Sequence, residues 1–329
     1  MKNYMTPFVG YRYIGPFLED TLINGTLKVS SILSFNDPFE YRVKQPIPND
    51  QECLKRIWFH LKNEPDFLNE CATDLCISNK ANKIIEEIKS NKDYFEYLKP
   101  RIVRAIQKTH QNVLSQFIKD ANEPIKHICL VDSDKEIKPN SDILMWSHYT
   151  NNHKGLRLLL EFDIDLIESP HNIYNIEYTE DQPSSDFSQI VYREHIQTRN
   201  ELNTLLKRIT STKSTAWKYE NETRISLDNS KCIFDNRKQI YLIKFPLEKI
   251  KRIDFGIRYE ERNKGKKEDD IKDPTPIPEL IKKYLPKLDP KIVFTQAECN
   301  PDEYKIDYHE IDKEETIKSG EVVYTGKIL

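Results

Sequence analysis

Glycine is scarce: the chain has 8 in 329 residues, against 18 prolines. Neither G-x-G-x-x-G nor G-x-x-x-x-G-K-[ST] occurs. That sets aside the folds that cradle phosphate on the backbone N–H groups of a glycine-rich loop. No apolar stretch approaches the ~18 residues a membrane helix needs. No basic segment followed by an apolar run opens the sequence, so no secretory signal is expected. The six cysteines (Cys53, Cys71, Cys76, Cys129, Cys232 and Cys299) form no C-x-x-C pair, and no Cys/His group has the compact spacing of a structural zinc site. Their scatter reads as buried, reduced thiols in a soluble, cytoplasmic protein. Neither sign of charge dominates: 50 Lys and Arg face 53 Asp and Glu, a net charge of −3. Gripping nucleic acid by bulk charge alone is thereby excluded, while a local basic groove stays open.

What is present concentrates in two short segments, Leu144-Met145-Trp146-Ser147-His148-Tyr149 and Trp217-Lys218-Tyr219-Glu220-Asn221-Glu222-Thr223-Arg224. Each packs aromatic, hydroxyl and charged side chains into fewer than ten positions. On a strand, side chains alternate faces with period two, so Glu220, Glu222 and Arg224 would point one way. Two carboxylates on one face need a cation, a metal or a substrate. Taken as a strand, the first segment puts Ser147 and Tyr149 on one face and Trp146 and His148 on the other; a helix would change these faces.

The remaining pattern predicts an α+β fold: one main domain (residues 1–47 and 125–329) built on a central mixed or antiparallel sheet, with a helical insertion over 48–124. Strands are expected at Tyr11–Ile14, Thr26–Ser30, His127–Val131, Leu156–Phe162, Tyr174–Tyr178, Ile225–Leu227, Gln239–Phe245 and Ile250–Phe255, with closing strands near Ile292, Tyr304 and Val322. Leu54, Ile57, Trp58 and Leu61, then Ile84, Ile85 and Ile88, then Ile102 and Ile106, recur at helical spacing and predict three or four helices. Further helices are expected over Tyr192–Ser211 and Ile277–Leu285, and an exposed charged loop over Glu260–Asp273. Asn24-Gly25 marks a turn, and Asp37-Pro38 fixes another between Phe35 and Phe39. The absence of regular β-α-β alternation argues against a doubly wound sheet.

Several motifs together resemble a bacterial family known as domain of unknown function 2971. They are Tyr11-Arg12-Tyr13, Phe35-Asn36-Asp37-Pro38-Phe39-Glu40, the Leu144–Tyr149 segment with Asn152-His153-Lys154-Gly155, Trp217-x-Tyr219-Glu220-x-Glu222-x-Arg224 and Ile253-Asp254-Phe255-Gly256. The likeness spans roughly residues 8–260 and implies no defined chemistry. The order Arg12, Ser147/Tyr149, Glu220/Glu222 is also similar to that of ADP-ribosyltransferases, although the middle motif is not Ser-Thr-Ser and the first strand carries no His. That second resemblance implies an NAD-consuming ADP-ribosyltransferase or glycohydrolase, with NAD as substrate, and suggests a toxin or phage-defence effector. It implies that the first residue positions NAD, the middle motif frames the nicotinamide and a Glu holds the ribose.

The candidate residues follow. Glu222 or Glu220 would stabilise the cation that develops on ribose as the nicotinamide bond breaks, and the other would handle the nucleophile's proton. Arg224 is a candidate for binding the cofactor beside them; equally, these acids pair with it structurally. Arg12, with Tyr13 beside it, is a fork for phosphate or carboxylate, or a structural partner of the same acids. Tyr149 would stack on the nicotinamide with Ser147 in support, Trp146 serves the pocket or the core, and His148 is the acid/base group of its segment. Asp37, Glu40 and His153 read as turn residues first. No metal ligand set is assigned. A metal-dependent nuclease acting on RNA or DNA, and a non-enzymatic module that recognises a nucleotide or a partner protein, remain the alternatives; a protein or nucleic-acid target is possible, and oligomeric state is open.

Overall fold

The computed structural model describes residues 7–15, 18–40, 42–44, 48–122, 124–163, 172–184, 207–261 and 275–329. Their contacts divide into two compact units: the described residues of Met1–Glu40, Ala121–Asp181 and Thr210–Leu329, and those of Tyr41–Asp120 and Gln182–Ile209. In chain order the elements are β1 (Phe8–Ile14), α1 (Leu18–Asn24), β2 (Thr26–Val29), α2 (Asp50–Asn63), α3 (Pro65–Asp74), α4 (Ala81–Ser90) and α5 (Lys92–Asn122). Next come β3 (Ile125–Asp132), α6 (Pro139–Tyr149), β4 (Leu156–Phe162), β5 (Ile173–Asn175), β6 (Glu177–Thr179), β7 (Thr212–Ser214) and β8 (Glu222–Asp228). The chain continues with β9 (Ile233–Asp235), β10 (Ile240–Lys244), β11 (Ile250–Phe255), α7 (Ile277–Tyr284), β12 (Val293–Cys299), β13 (Ile306–Ile311), α8 (Lys313–Ser319) and β14 (Tyr324–Ile328).

The fold is α+β. Nine strands form one mixed sheet in the order β14-β13-β12-β11-β4-β1-β3-β8-β5. Only β11 and β12 run parallel within it, joined through α7; the other neighbours are antiparallel. A three-stranded sheet, β2-β10-β9, and a parallel pair, β6-β7, complete the described strands. β4 explains why a leucine-rich run belongs at the centre. Leu156, Leu158, Leu160 and Phe162 alternate onto one face and join Ile14, Leu27, Ile128, Ile253 and Phe255 in the main core. On the other face, Arg157 is 4% exposed beneath α6. The helical unit has its own core, in which Ile57, Leu61, Ile84, Ile88, Leu98 and Ile102 are buried.

The sheet has a built-in parting. β1 pairs with β4 over seven positions, but with β3 only at Gly10↔Asp132 and Tyr11↔Val131. Beyond Tyr11 the two strands separate. The earlier part of β3 turns to the smaller sheet, where Ser30 and His127 exchange both backbone hydrogen bonds, at 2.8 and 2.9 Å. Arg12 sits in the crotch: its Nη1 donates to the Cys129 carbonyl (2.8 Å) and its Nη2 to the Lys28 carbonyl (2.9 Å). One guanidinium from β1 thus satisfies a carbonyl on β3 and another on β2.

Several expectations need correction. Leu144–Tyr149 is the end of helix α6, not a strand. Pro139 sits at the first helical position, and Asp142, Met145 and Trp146 are buried at i, i+3 and i+4 spacing. Trp217–Glu220 belongs to a 3-10 turn over Thr215–Glu220 that ends at Asn221 in a left-handed conformation (φ 45°), so Glu220 and Glu222 are not strand neighbours. Tyr174–Tyr178 is split between β5 and β6. β7, β9 and α8 carry too little periodicity to be anticipated. Among the cysteines, Cys53 and Cys71 are buried but Cys76 and Cys299 are exposed. Phe39 is exposed, so of the two phenylalanines flanking the 36–38 turn only Phe35 packs inward. The helix expected over Tyr192–Ser211 lies outside the described residues except for its end, which is helical at 207–210. Most of the charged loop over Glu260–Asp273 also lies outside them. No helix among the described residues is long and apolar enough to cross a membrane.

Candidate functional site

A cavity of about 320 Å³ opens where β1 and β3 part. β1 contributes Tyr11, Arg12 and Tyr13; β2 contributes Lys28, and β3 Cys129 and Val131; Phe35 and Asn36 come from the segment after β2 and Tyr149 from the end of α6. Lys213, Glu220 and Glu222 supply the remaining charged wall. Five of the residues singled out in the sequence therefore meet around one space: Arg12, Tyr13, Tyr149, Glu220 and Glu222.

Helix α6 brings Tyr149 there because its inner face is anchored by a buried polar network. Tyr13 donates to Asp142 Oδ1 (2.6 Å), Tyr308 to Asp142 Oδ2 (2.5 Å), and Trp146 Nε1 to the Tyr308 hydroxyl (2.7 Å). Arg157 links Asp142 (3.2 Å) to Asp254 (2.7 Å), so two buried carboxylates share its charge. Tyr149 then donates to Glu220 Oε1 and accepts from Asn36 Nδ2 (3.1 Å).

Glu220 and Glu222 end up in different electrostatic settings. Lys213 Nζ lies 2.6 Å from Glu220, 2.9 Å from Glu40 and 3.5 Å from Glu222. Arg224 donates to both Glu222 oxygens (2.7 and 3.0 Å), to Glu40 (3.1 Å) and to the Thr210 carbonyl (3.0 Å), with its guanidinium 4.3 Å from the Phe35 ring centre. Burial raises the Glu222 carboxyl, but the charge and hydrogen bonds of Arg224, with Lys213, outweigh it and hold the group down to about 2. Burial and the neighbouring Glu222 charge push Glu220 up despite Lys213. The two neighbouring carboxylates are thus pushed in opposite directions, a contrast of environment of the kind that acid–base pairs use. Burial also lowers Arg12 and Lys28, the latter further through the neighbouring charge of Arg12.

The other predicted residues fall elsewhere. Arg224 is 1% exposed, and its contacts make it the brace of Glu222 and Glu40. Trp146 is fully buried in the aromatic cluster under α6. Ser147 donates to the Ile143 carbonyl (2.8 Å) and lies 3.0 Å from His153 Nε2. His148 is exposed and has its Nδ1 2.8 Å from the Tyr219 hydroxyl. None of these four lines the cavity. Lys213 and Glu40 were not anticipated as central. Lys213 stands alone in Thr-Lys-Ser, and Glu40 looked like a turn residue because its partners Lys213 and Arg224 lie more than 170 positions away in sequence. A signal for α6 did exist, since Asp142, Met145, Trp146 and Tyr149 recur at i, i+3, i+4 and i+7.

This cluster predicts acid sensitivity. His127, within reach of Tyr174 (3.2 Å) and Ser226 (3.1 Å), is lowered by burial and by the charge of Arg224 from 6.5 to about 3. Both His127 and Glu222 have depressed native values, so the unfolded chain binds their protons first and stability falls with pH. His127 acts between about 6.5 and 3, Glu222 between about 4.5 and 2. The unfolding free energy from urea denaturation is expected to fall from pH 7 to pH 5 by up to about 1.4 kcal/mol per pH unit for the histidine alone, and His127→Gln should flatten that part of the curve. A wild-type profile that is flat over this range would refute the assignment.

The family model described as Protein of unknown function (DUF2971) matches residues 145–225. The matched stretch runs from α6 into β8 and carries Tyr149, Lys213, Glu220, Glu222 and Arg224, which bears out the resemblance to that family. No curated protein and no solved structure shows significant similarity to the chain.

Proposed function

We propose that this chain, which carries the DUF2971 segment, cleaves the nicotinamide–ribose bond of NAD as an ADP-ribosyltransferase-like enzyme or NAD glycohydrolase. The observation that carries this reading is the meeting of Arg12, Tyr149, Glu220 and Glu222 around one cavity, with the two carboxylates pushed apart in acidity. Breaking the bond leaves positive charge on the ribose, and the anionic Glu222 stabilises it in a water-poor site. Glu220 takes the proton of the incoming nucleophile, which is water or a group on a protein or nucleic-acid target. Tyr149 fixes Glu220 through its hydroxyl and offers its ring to the nicotinamide. The electron pair of the broken bond goes to the ring nitrogen, so nicotinamide leaves neutral.

Purified protein incubated with NAD is expected to release nicotinamide whether or not EDTA is present. Glu222→Gln should lower that rate at least ~100-fold, while an undiminished rate removes Glu222 from the mechanism. A toxin or defence role extends the same proposal: expression of the wild-type chain should deplete cellular NAD, and the Glu222→Gln chain should not.

A second reading has one observation in its favour. Both Glu222 oxygens already accept from Arg224, and both terminal nitrogens of Arg12 already donate to carbonyls. A site braced in this way suits a module that binds a nucleotide without turning it over, which ligand-dependent stabilisation without product would reveal. The carboxylates that a metal-dependent nuclease would use are engaged by Lys213 and Arg224. Among the described residues, no three His, Cys, Asp or Glu side chains converge as metal ligands would.

A further inference from the structure

The cavity is small for a dinucleotide. At about 320 Å³ it stands at the bottom of the ~300–1,000 Å³ range of small-molecule sites, which suits a nucleoside better than NAD entire. Its cations are also poorly arranged for a pyrophosphate, which is gripped best by a guanidinium presenting its fork. The terminal nitrogens of Arg12 are turned onto the Cys129 and Lys28 carbonyls instead. Lys213 is enclosed by Glu40, Glu220 and Glu222. Lys28, beside Arg12, brings a point charge and no fork. The lining also presents the ring of Tyr149, whose hydroxyl is held by Glu220, and an aromatic face favours a flat organic cation.

Resting on the NAD-cleaving reading, we propose that the cavity recognises the pyridinium ribonucleoside itself. Nicotinamide riboside is then a substrate in its own right, and the ADP half of NAD contributes little. The bond between ribose C1′ and the ring nitrogen breaks with its electron pair going to nitrogen. The oxygen of water bonds to C1′, and the water proton passes to Glu220 and on to solvent. Ribose, neutral nicotinamide and a proton are the products.

The test gives the full-length chain NAD, nicotinamide mononucleotide and nicotinamide riboside in parallel, follows nicotinamide by chromatography and compares kcat/KM. The riboside is expected within about tenfold of NAD, whereas an enzyme that draws on binding energy from remote parts of its substrate loses kcat when they are removed. Cleavage of NAD or of the mononucleotide, with the riboside more than ~1,000-fold slower, overturns this inference and leaves the NAD reading standing. Release from none of the three overturns both.

Discussion

Replacing Arg224 with methionine is expected to lower the unfolding free energy by about 3–5 kcal/mol, the usual cost of removing one partner from a buried charge pair. Glu222 and Glu40 stay buried after the change. Lys213 alone, already held by Glu220, cannot neutralise three carboxylates. Arg224→Lys keeps the charge but loses the two-pronged contact with Glu222, so it should fall between wild type and Arg224→Met. Adding Glu222→Gln to Arg224→Met should return part of the loss, because the two residues touch and their effects will not add. Urea denaturation at pH 7 measures all four proteins. An Arg224→Met chain within ~1 kcal/mol of wild type would mean that the cluster is not what ties β8 to the turn ending at Glu40.

Gly155→Ala is expected to be at least as damaging to the site, by a different route. A Cβ at Gly155 would lie 2.0 Å from the Ile14 carbonyl oxygen and 3.0 Å from Thr150 Cβ, and the first of these neighbours is backbone. The connection from α6 to β4 would have to lift away from β1, at a cost of about 3 kcal/mol, near the upper end for overpacking. Because this connection follows directly on Tyr149, nicotinamide release should fall together with stability. Gly320→Ala provides the contrast. Nothing lies within 4 Å of its Cβ position, and only the left-handed backbone (φ +76°) resists the change, so it should cost about 1 kcal/mol and leave the site untouched. Thermal melts and turnover of the two alanine chains separate crowding from backbone preference. Equal, small losses in both would remove the close approach of the 150–155 connection as a cause.

Part of the candidate site's lining is more legible in the sequence than the way that lining is held. Arg12, Tyr149, Glu220 and Glu222 could be picked out because polar and aromatic residues were crowded where ordinary alternation would have spaced them. Leu156–Phe162 could be read as central because a run of leucines has no place on an exposed strand. The helical nature of α6 was masked by its own contents: Trp, Ser, His and Tyr in succession look like neither period. The stripe of Asp142, Met145, Trp146 and Tyr149 emerges only if a buried aspartate is counted as an inward position, and that aspartate is acceptable inside only because Arg157, Tyr13 and Tyr308 reach it. Glu40 and Lys213 were opaque for the same reason. A charged residue's burial depends on partners that local patterning does not show.

The parting of β1 from β3 also bears on how the chain reaches its fold. β1 has no partner close by in sequence: β3 begins at Ile125 and β4 at Leu156, so β1 waits for more than a hundred residues before either of its neighbours exists. Pairings between such distant segments form slowly, because closing the long loop costs entropy before the contacts repay it. Arg12 cannot find the Cys129 carbonyl until that closure is complete. The helices α2–α5, with short-range contacts of their own, have no such delay. The cavity is therefore expected to form after helices α2–α5, and a chain halted before β8 is made lacks the Glu222 wall of the cavity.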